Sequence, residues 1–276
     1  MNFNLDEHFV PGKCSTFDEL DLEIHECLEM NKKNINKERL QRIHKDCHVF
    51  YNSVNVFCGR QGSGKTFTSM KEAIKISRVS PETHLLIVVC KDETSTDPTV
   101  ESLKPLLNIP IVYVEEDEAI DYVKNLLEYK RFYDFIKSEH LENKIVDEQV
   151  EEVFEVLHIN DWKRKWLHTL IIFNDIAKSK LLKRPDGYFN QLFPICRHIQ
   201  CSFFLNVQFW KSIQTEIKAN ITTAFIFGGF SRQQFLYIIH QLPVSVGTDE
   251  LFDVYKHLNK NEKIIINCET TDIAVE

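Results

Sequence analysis

Eight consecutive residues, Gly59, Arg60, Gln61, Gly62, Ser63, Gly64, Lys65 and Thr66, fit the pattern G-x-x-x-x-G-K-[ST] without departure. These residue types suit a polyphosphate. The successive backbone N–H groups form a concave anion site, the following helix contributes its N-terminus, and the Lys65 ammonium reaches the terminal phosphates. The Thr66 hydroxyl is placed to meet Mg2+. Downstream, Asn174 and Asp175 close the apolar run Leu170-Ile171-Ile172-Phe173, in the manner of a Walker B strand. The usual pair there is acidic. Asn174 can hold a metal-bound water through its carbonyl oxygen but brings no charge, so Asp175 must orient the attacking water, hold the metal, or both. The plainer reading of Asn-Asp after a strand is a turn opener. Gln208 ends the run Cys201–Gln208, and an amide there can donate to a γ-phosphate while accepting from water. Together these residues predict a site for a nucleoside triphosphate, with ATP and Mg2+ as cofactors.

The elements that position them alternate. Ser53–Cys58 reads as a strand into the loop, and Thr66–Ser77 as the helix out of it. His84–Cys90 is a near-continuous apolar run, the pattern of a strand buried on both faces of a parallel sheet. Lys91–Pro98 is a polar loop at that strand's C-terminal edge, where ligands collect in an open α/β sheet. Further strands are expected at Pro110–Val114, Trp166–Asp175, Cys201–Gln208, Ile221–Gly228 and Lys263–Cys268. Helices are expected at Asp117–Leu141, Lys144–His158, Tyr188–His198, Ser231–Leu242 and Glu250–Leu258. Ser231 with Gln234 makes a capping box. The fold class is therefore α/β: a three-layer P-loop NTPase sandwich with a mostly parallel sheet, plus a helical N-terminal extension. Residues 1–50 are that extension. Residues 51–245 are the core, with a helical insertion at 118–160, and residues 246–276 are a C-terminal helix and strand. The long separation of the loop strand from the Leu170–Asp175 strand favours the RecA-like, additional-strand branch over the kinase and GTPase branch.

Bulk properties set limits. The chain has 276 residues, 43% hydrophobic and 27% charged, with a net charge of −8. That charge excludes a protein coated in basic groups but not a local basic patch or ring lumen. Candidate patches are Lys163-Arg164-Lys165 between Trp162 and Trp166, and Lys178, Lys180, Lys183 and Arg184, against the plainer reading of solvated surface. No apolar run is long enough to span a membrane. The eight cysteines form no C-x-x-C pair and read as reduced core thiols of an intracellular protein. His44, Cys47 and His48 lack the second clustered pair of a zinc site.

The phosphate loop, the Ile171-Ile172-Phe173-Asn174-Asp175 strand and Ile195-Cys196-Arg197-His198 before the strand ending in Gln208 resemble the FtsK–HerA superfamily. So do Glu216-Ile217-Lys218-Ala219-Asn220 and the Phe225–Phe227 strand, so that the likeness spans about residues 50–242. The resemblance is in particular to the genome-packaging ATPases of nucleocytoplasmic large DNA viruses and virophages. Asn174 departs from that family's acidic position. The resemblance implies an ATP-hydrolysing translocase of double-stranded DNA, a homo-oligomeric ring with nucleotide between neighbours, and a capsid or vertex protein as partner. It implies residence in the infected cell's cytoplasm (the viral factory) or in the virion. It also implies an arginine acting on a neighbour's nucleotide, Arg197 first and Arg232 second, against the alternative of a surface salt bridge. Two other function classes stay open: a nucleotide or nucleoside kinase, and a non-hydrolysing nucleotide-dependent assembly switch, which Asn174 favours.

Overall fold

The computed structural model describes residues 43–44, 47–91, 97–174, 181–182 and 187–276. The helices expected within residues 1–50, the basic group at 178–184 and Asp175 lie outside the described residues.

Eight strands form one sheet: β1 (Val54–Cys58), β2 (Thr83–Cys90), β3 (Ile111–Glu115), β4 (His168–Phe173), β5 (Cys201–Val207), β6 (Ile221–Phe227), β7 (Lys263–Asn267) and β8 (Ile273–Val275). Their order is β3-β2-β4-β5-β1-β6-β7-β8. Pairings from β3 through to β6 are parallel, and β6–β7 and β7–β8 are antiparallel. β5 lies between the loop strand β1 and the Asn174 strand β4. This is the additional strand expected from their separation in sequence.

Alternate residues of the central strands supply two cores, because successive side chains of a strand point to opposite faces. Val56, Ile87, Ile171, Phe173, Phe203 and Leu205 belong to one cluster. Phe57, Leu86, Val88, Leu170, Ile172 and Phe204 belong to the other. The second cluster takes in Met70, Ala73 and Ile76 of α1 (Lys65–Val79) and Val100 of α2 (Pro98–Leu103). The first takes in Val123, Leu126, Leu127 and Tyr133 of α3 (Ala119–Ser138), Val153 and Leu157 of α4 (Asp147–Leu157), and Phe189 and Leu192 of α5 (Tyr188–Leu192). α3 and α4 thus lie on the chain path from β3 to β4 and are packed into the main core. α6 (Thr215–Lys218) precedes β6; α7 (Arg232–Ile239) and α8 (Thr248–Tyr255) follow it, and α7 carries the expected Ser231–Gln234 capping box.

Three readings of local structure change. Residues 246–276, expected to hold a helix and one strand, hold α8 and two strands, because the chain turns back after β7 and pairs β8 with it. The helix expected over Tyr188–His198 stops at Leu192, since Pro194 has no N–H to give to the turn behind it. Asp97, expected within a polar loop, opens α2 as its N-cap, accepting from Thr99 N at 2.8 Å with Pro98 in the first turn. The basic group Lys163–Lys165 lies where the chain enters β4: Lys163 pairs with Asp161 (2.9 Å) and Arg164 Nε donates to Pro81 O (3.0 Å). Trp162 stacks on Tyr133 and Trp166 packs edge-on against Tyr51, each at 5.2 Å. These tryptophans are packing residues. The described cysteines are free thiols, and burial pushes Cys58 and Cys196 up to about 12. Among the described residues no helix is long and apolar enough to cross a membrane.

Candidate nucleotide-binding site

β1 runs directly into the phosphate loop. Gly59 N donates to Val207 O (3.1 Å), fastening the loop's first residue to the end of β5. Gly62 and Gly64 have φ of 71° and 88°, a left-handed conformation that other residues adopt only at a cost. Gly64 is the N-cap of α1. Lys65 is 9% exposed, and its Nζ donates to Gly59 O (2.8 Å) and Arg60 O (3.1 Å), so the ammonium sits inside the curl of the loop. Ser63 Oγ is buried there without a hydrogen-bond partner. Arg60 reaches outward to Gln234 Oε1 of α7 (3.3 Å).

Thr66, in the first turn of α1, donates its hydroxyl to Asn174 Oδ1 across 3.2 Å. The strand order explains the meeting. Asn174 N is tied to Val89 O of β2 (3.2 Å), one residue past the end of β4. Asn206, fully buried on β5, donates from Nδ2 to Asn174 Oδ1 (3.2 Å) and to Ser69 Oγ of α1 (3.1 Å). The intervening strand therefore orients the Asn174 amide and couples it to the loop helix. Asn174 Nδ2 in turn donates to Asp97 Oδ2 (3.4 Å). Burial alone would raise the Asp97 pKa, but hydrogen bonds from Thr99, Thr66 and Asn174 outweigh it and hold the carboxyl below its ordinary value.

These groups open on a cleft of about 530 Å³ lined by Gly64, Lys65, Thr66, Asp97, Lys71 and Lys263, among others. That volume lies in the usual range for small-molecule sites. Lys65, Lys71 and Lys263 line its wall, and Glu276 offsets part of that charge by pairing with Lys263 (2.9 Å) and Lys71 (3.8 Å). Thr66 Oγ1 and Asn174 Oδ1 are hard oxygen donors of the kind magnesium takes alongside nucleotide phosphates. Among the described residues no three His, Cys, Asp or Glu cluster to hold a metal.

The remaining expected residues are dispersed. Gln208 follows β5 directly, part-buried, beside the end of β1 through the Gly59–Val207 bond. Arg197 lies in the turn before β5, at the opposite edge of the sheet, and pairs with Glu269 at 3.4 Å. The length of β5 puts it on the order of 20 Å from the loop, so Arg197 serves no nucleotide of its own chain. Arg232 begins α7 on the loop side, exposed, in a 2.7 Å pair with Asp249 and with its guanidinium 5.7 Å from the Phe252 ring. Asp175 is outside the described residues. Several residues of the site were missed in the sequence, Lys71 and Asn206 among them. Asp97 carried a signal in Asp-Pro-Thr at a helix start. Asn261 and Lys263 carried none: they reach the cleft because β7 pairs antiparallel with β6, and Lys260 comes up to the loop, where a Cβ added to Gly62 would stand 3.1 Å from its Nζ.

Residues 124–271, more than half the chain, match the family described as Poxvirus A32 protein. The matched segment contains β4, β5, Asn174 and Gln208 but not the phosphate loop. No curated protein matches the chain. Among solved structures it is similar to the genome packaging NTPase B204 of Sulfolobus turreted icosahedral virus 2 in complex with ATP-gammaS, with TM-score 0.50 and 14% identity over 82% of this chain and 97% of that one. It is likewise similar to B204, the DNA-packaging ATPase of Sulfolobus turreted icosahedral virus, with TM-score 0.50 and 13% identity over 82% and 97%. The cytoplasmic domain of the type VII secretion ATPase EccC of Thermomonospora curvata matches with TM-score 0.51 and 13% identity, over 84% of this chain and 26% of that one. At these identities the likeness is one of fold.

Proposed function

The chain belongs to the poxvirus A32 protein family, and from that premise we propose that it is an ATP-hydrolysing motor that moves double-stranded DNA into a viral capsid. The observation that carries the reading is the Thr66–Asn174 hydrogen bond. It joins a phosphate loop to the end of a strand that is not the loop strand's neighbour, with β5 between them. That arrangement sets a nucleotide against strand ends that can orient water. The alternative of a nucleotide kinase has no such support from the strand order.

In this account the loop N–H groups and Lys65 carry the phosphates, and positioning with charge stabilisation accounts for most of the catalysis. Thr66 and Asn174 would hold magnesium, which supplies neutralisation of charge on the phosphate oxygens. Asp175 orients the lytic water, and Gln208, at the next strand end, distinguishes triphosphate from diphosphate. Arg197 stabilises charge on a neighbour's nucleotide, which makes the working unit a ring of copies. DNA as the translocated substrate, a capsid vertex as the docking partner and the infected-cell cytoplasm as the location are inferred from the likeness to viral packaging ATPases.

The reading is tested by product analysis. The wild-type chain should release ADP and inorganic phosphate from ATP, and Lys65→Ala should abolish this turnover. A phosphorylated nucleoside formed in the absence of DNA would replace the motor with a kinase.

A further inference from the structure

A Walker B strand normally ends in an acid, and here Asn174 takes that place. The fold returns a carboxylate to the same spot from a different element. The chain leaves β2, the strand next to β4, and brings Asp97 to the Asn174 amide, with Oδ2 at 3.4 Å from Nδ2. Asp97 lines the cleft with Thr66. The Asn174 amide faces this way for a reason. Its Oδ1 takes the Thr66 hydroxyl and Asn206 Nδ2, which leaves Nδ2 to donate to Asp97.

Asparagine is thus the residue that tolerates a carboxylate at 97. An aspartate at 174 would have no N–H to offer, and two carboxylates at this distance repel. The acid has moved rather than vanished. Among the described residues lining the cleft, Asp97 is the one carboxylate, and Lys71 and Lys263 there pair with Glu276. Magnesium in nucleotide sites typically takes one or two carboxylates together with phosphate oxygens and water.

We propose that Asp97, with Thr66 and Asn174, holds the magnesium of the bound triphosphate, Asp97 supplying the negative charge that Asn174 lacks. The proposal rests on the reading of this cleft as a triphosphate site. It also predicts that residues 97 and 174 act as an exchangeable pair, in which one acid and one amide suffice in either order.

The test uses the full chain, Mn2+ as the probe and a non-hydrolysable ATP analogue, with bound Mn2+ counted by electron paramagnetic resonance. Asp97→Asn keeps a good N-cap for α2, and its melting temperature checks that the fold is retained. The expected result is an Mn2+ affinity weaker by about tenfold or more, with analogue affinity in EDTA unchanged. The double variant Asp97→Asn with Asn174→Asp should regain most of the lost Mn2+ affinity, which a merely structural role for Asp97 would not allow. Wild-type Mn2+ affinity in Asp97→Asn overturns the proposal, as does an equal loss of analogue affinity with and without metal. Loss of turnover with unchanged Mn2+ binding also overturns it and makes Asp97 a base instead. A wild-type chain that binds no analogue at all overturns the nucleotide reading beneath it.

Discussion

Acidification should destabilise this protein through His84, before carboxylates matter. His84 is fully buried near the start of β2. Its Nδ1 lies 2.9 Å from His168 O, a carbonyl that only accepts, so Nδ1 carries the proton. Nε2 is buried without a partner. Protonation would add a second, unpaired N–H and a charge to the core. Burial, then the nearby Lys130 ammonium, bring its pKa down to about 3. The unfolded chain, with an ordinary value near 6.5, therefore binds the proton more readily than the native chain. Stability is full above about pH 6.5 and falls progressively as the pH drops toward 3. Between pH 7 and pH 5 this one group should cost about 2 kcal/mol. Urea unfolding followed by tryptophan fluorescence at the two pH values measures the loss. In His84→Leu, which also loses the bond to His168 O and is less stable at both pH values, the loss from pH 7 to pH 5 should shrink by about 2 kcal/mol. An identical pH dependence in the variant and the parent would refute the reasoning, because it would mean that His84 is charged or solvated in the native state.

Other expectations concern the site. Asp175→Asn should bind ATP as the parent does and lose hydrolysis; parental turnover in single-cycle assays would remove Asp175 from the mechanism. Arg197→Ala mixed with Lys65→Ala should recover part of the lost turnover, since each variant supplies what the other lacks; no recovery in preformed mixed assemblies would shift the role to Arg232. Asn206→Leu should change stability by only about 1 kcal/mol, because it removes two donated bonds along with an amide oxygen that is buried without a partner. The same change frees Asn174 and should lower turnover at least about tenfold, measured as phosphate release; full activity would show that the Asn206–Asn174 bond does not orient the site.

The loop, its helix and the central strands were legible because each rests on local chemistry: glycine and lysine at fixed spacing, and apolar runs long enough to be buried strands. The additional-strand order was legible from the separation of the two motif strands and was borne out by β5 lying between them. The likeness to viral packaging ATPases was carried by short successions of residues, and it agrees with the family match and the shared fold. What stayed hidden depends on contacts between distant segments. Asp97 meets Asn174 through the pairing of β2 with β4, 77 positions apart in the chain. Lys263 comes to the phosphate cleft only because β7, after α8, runs back antiparallel to β6. The Tyr188 helix was overextended because apolar spacing outweighed Pro194 in the reading, whereas in the fold the missing N–H decides.

The central claim is that ATP turnover at the Gly59–Thr66 loop drives movement along DNA. Turnover measured with and without double-stranded DNA, with particle mass determined in the same buffer, tests it most directly. The expected result is a multi-subunit particle whose turnover rises when DNA is added and disappears in Lys65→Ala. A monomer that turns over ATP at one rate regardless of DNA would contradict it.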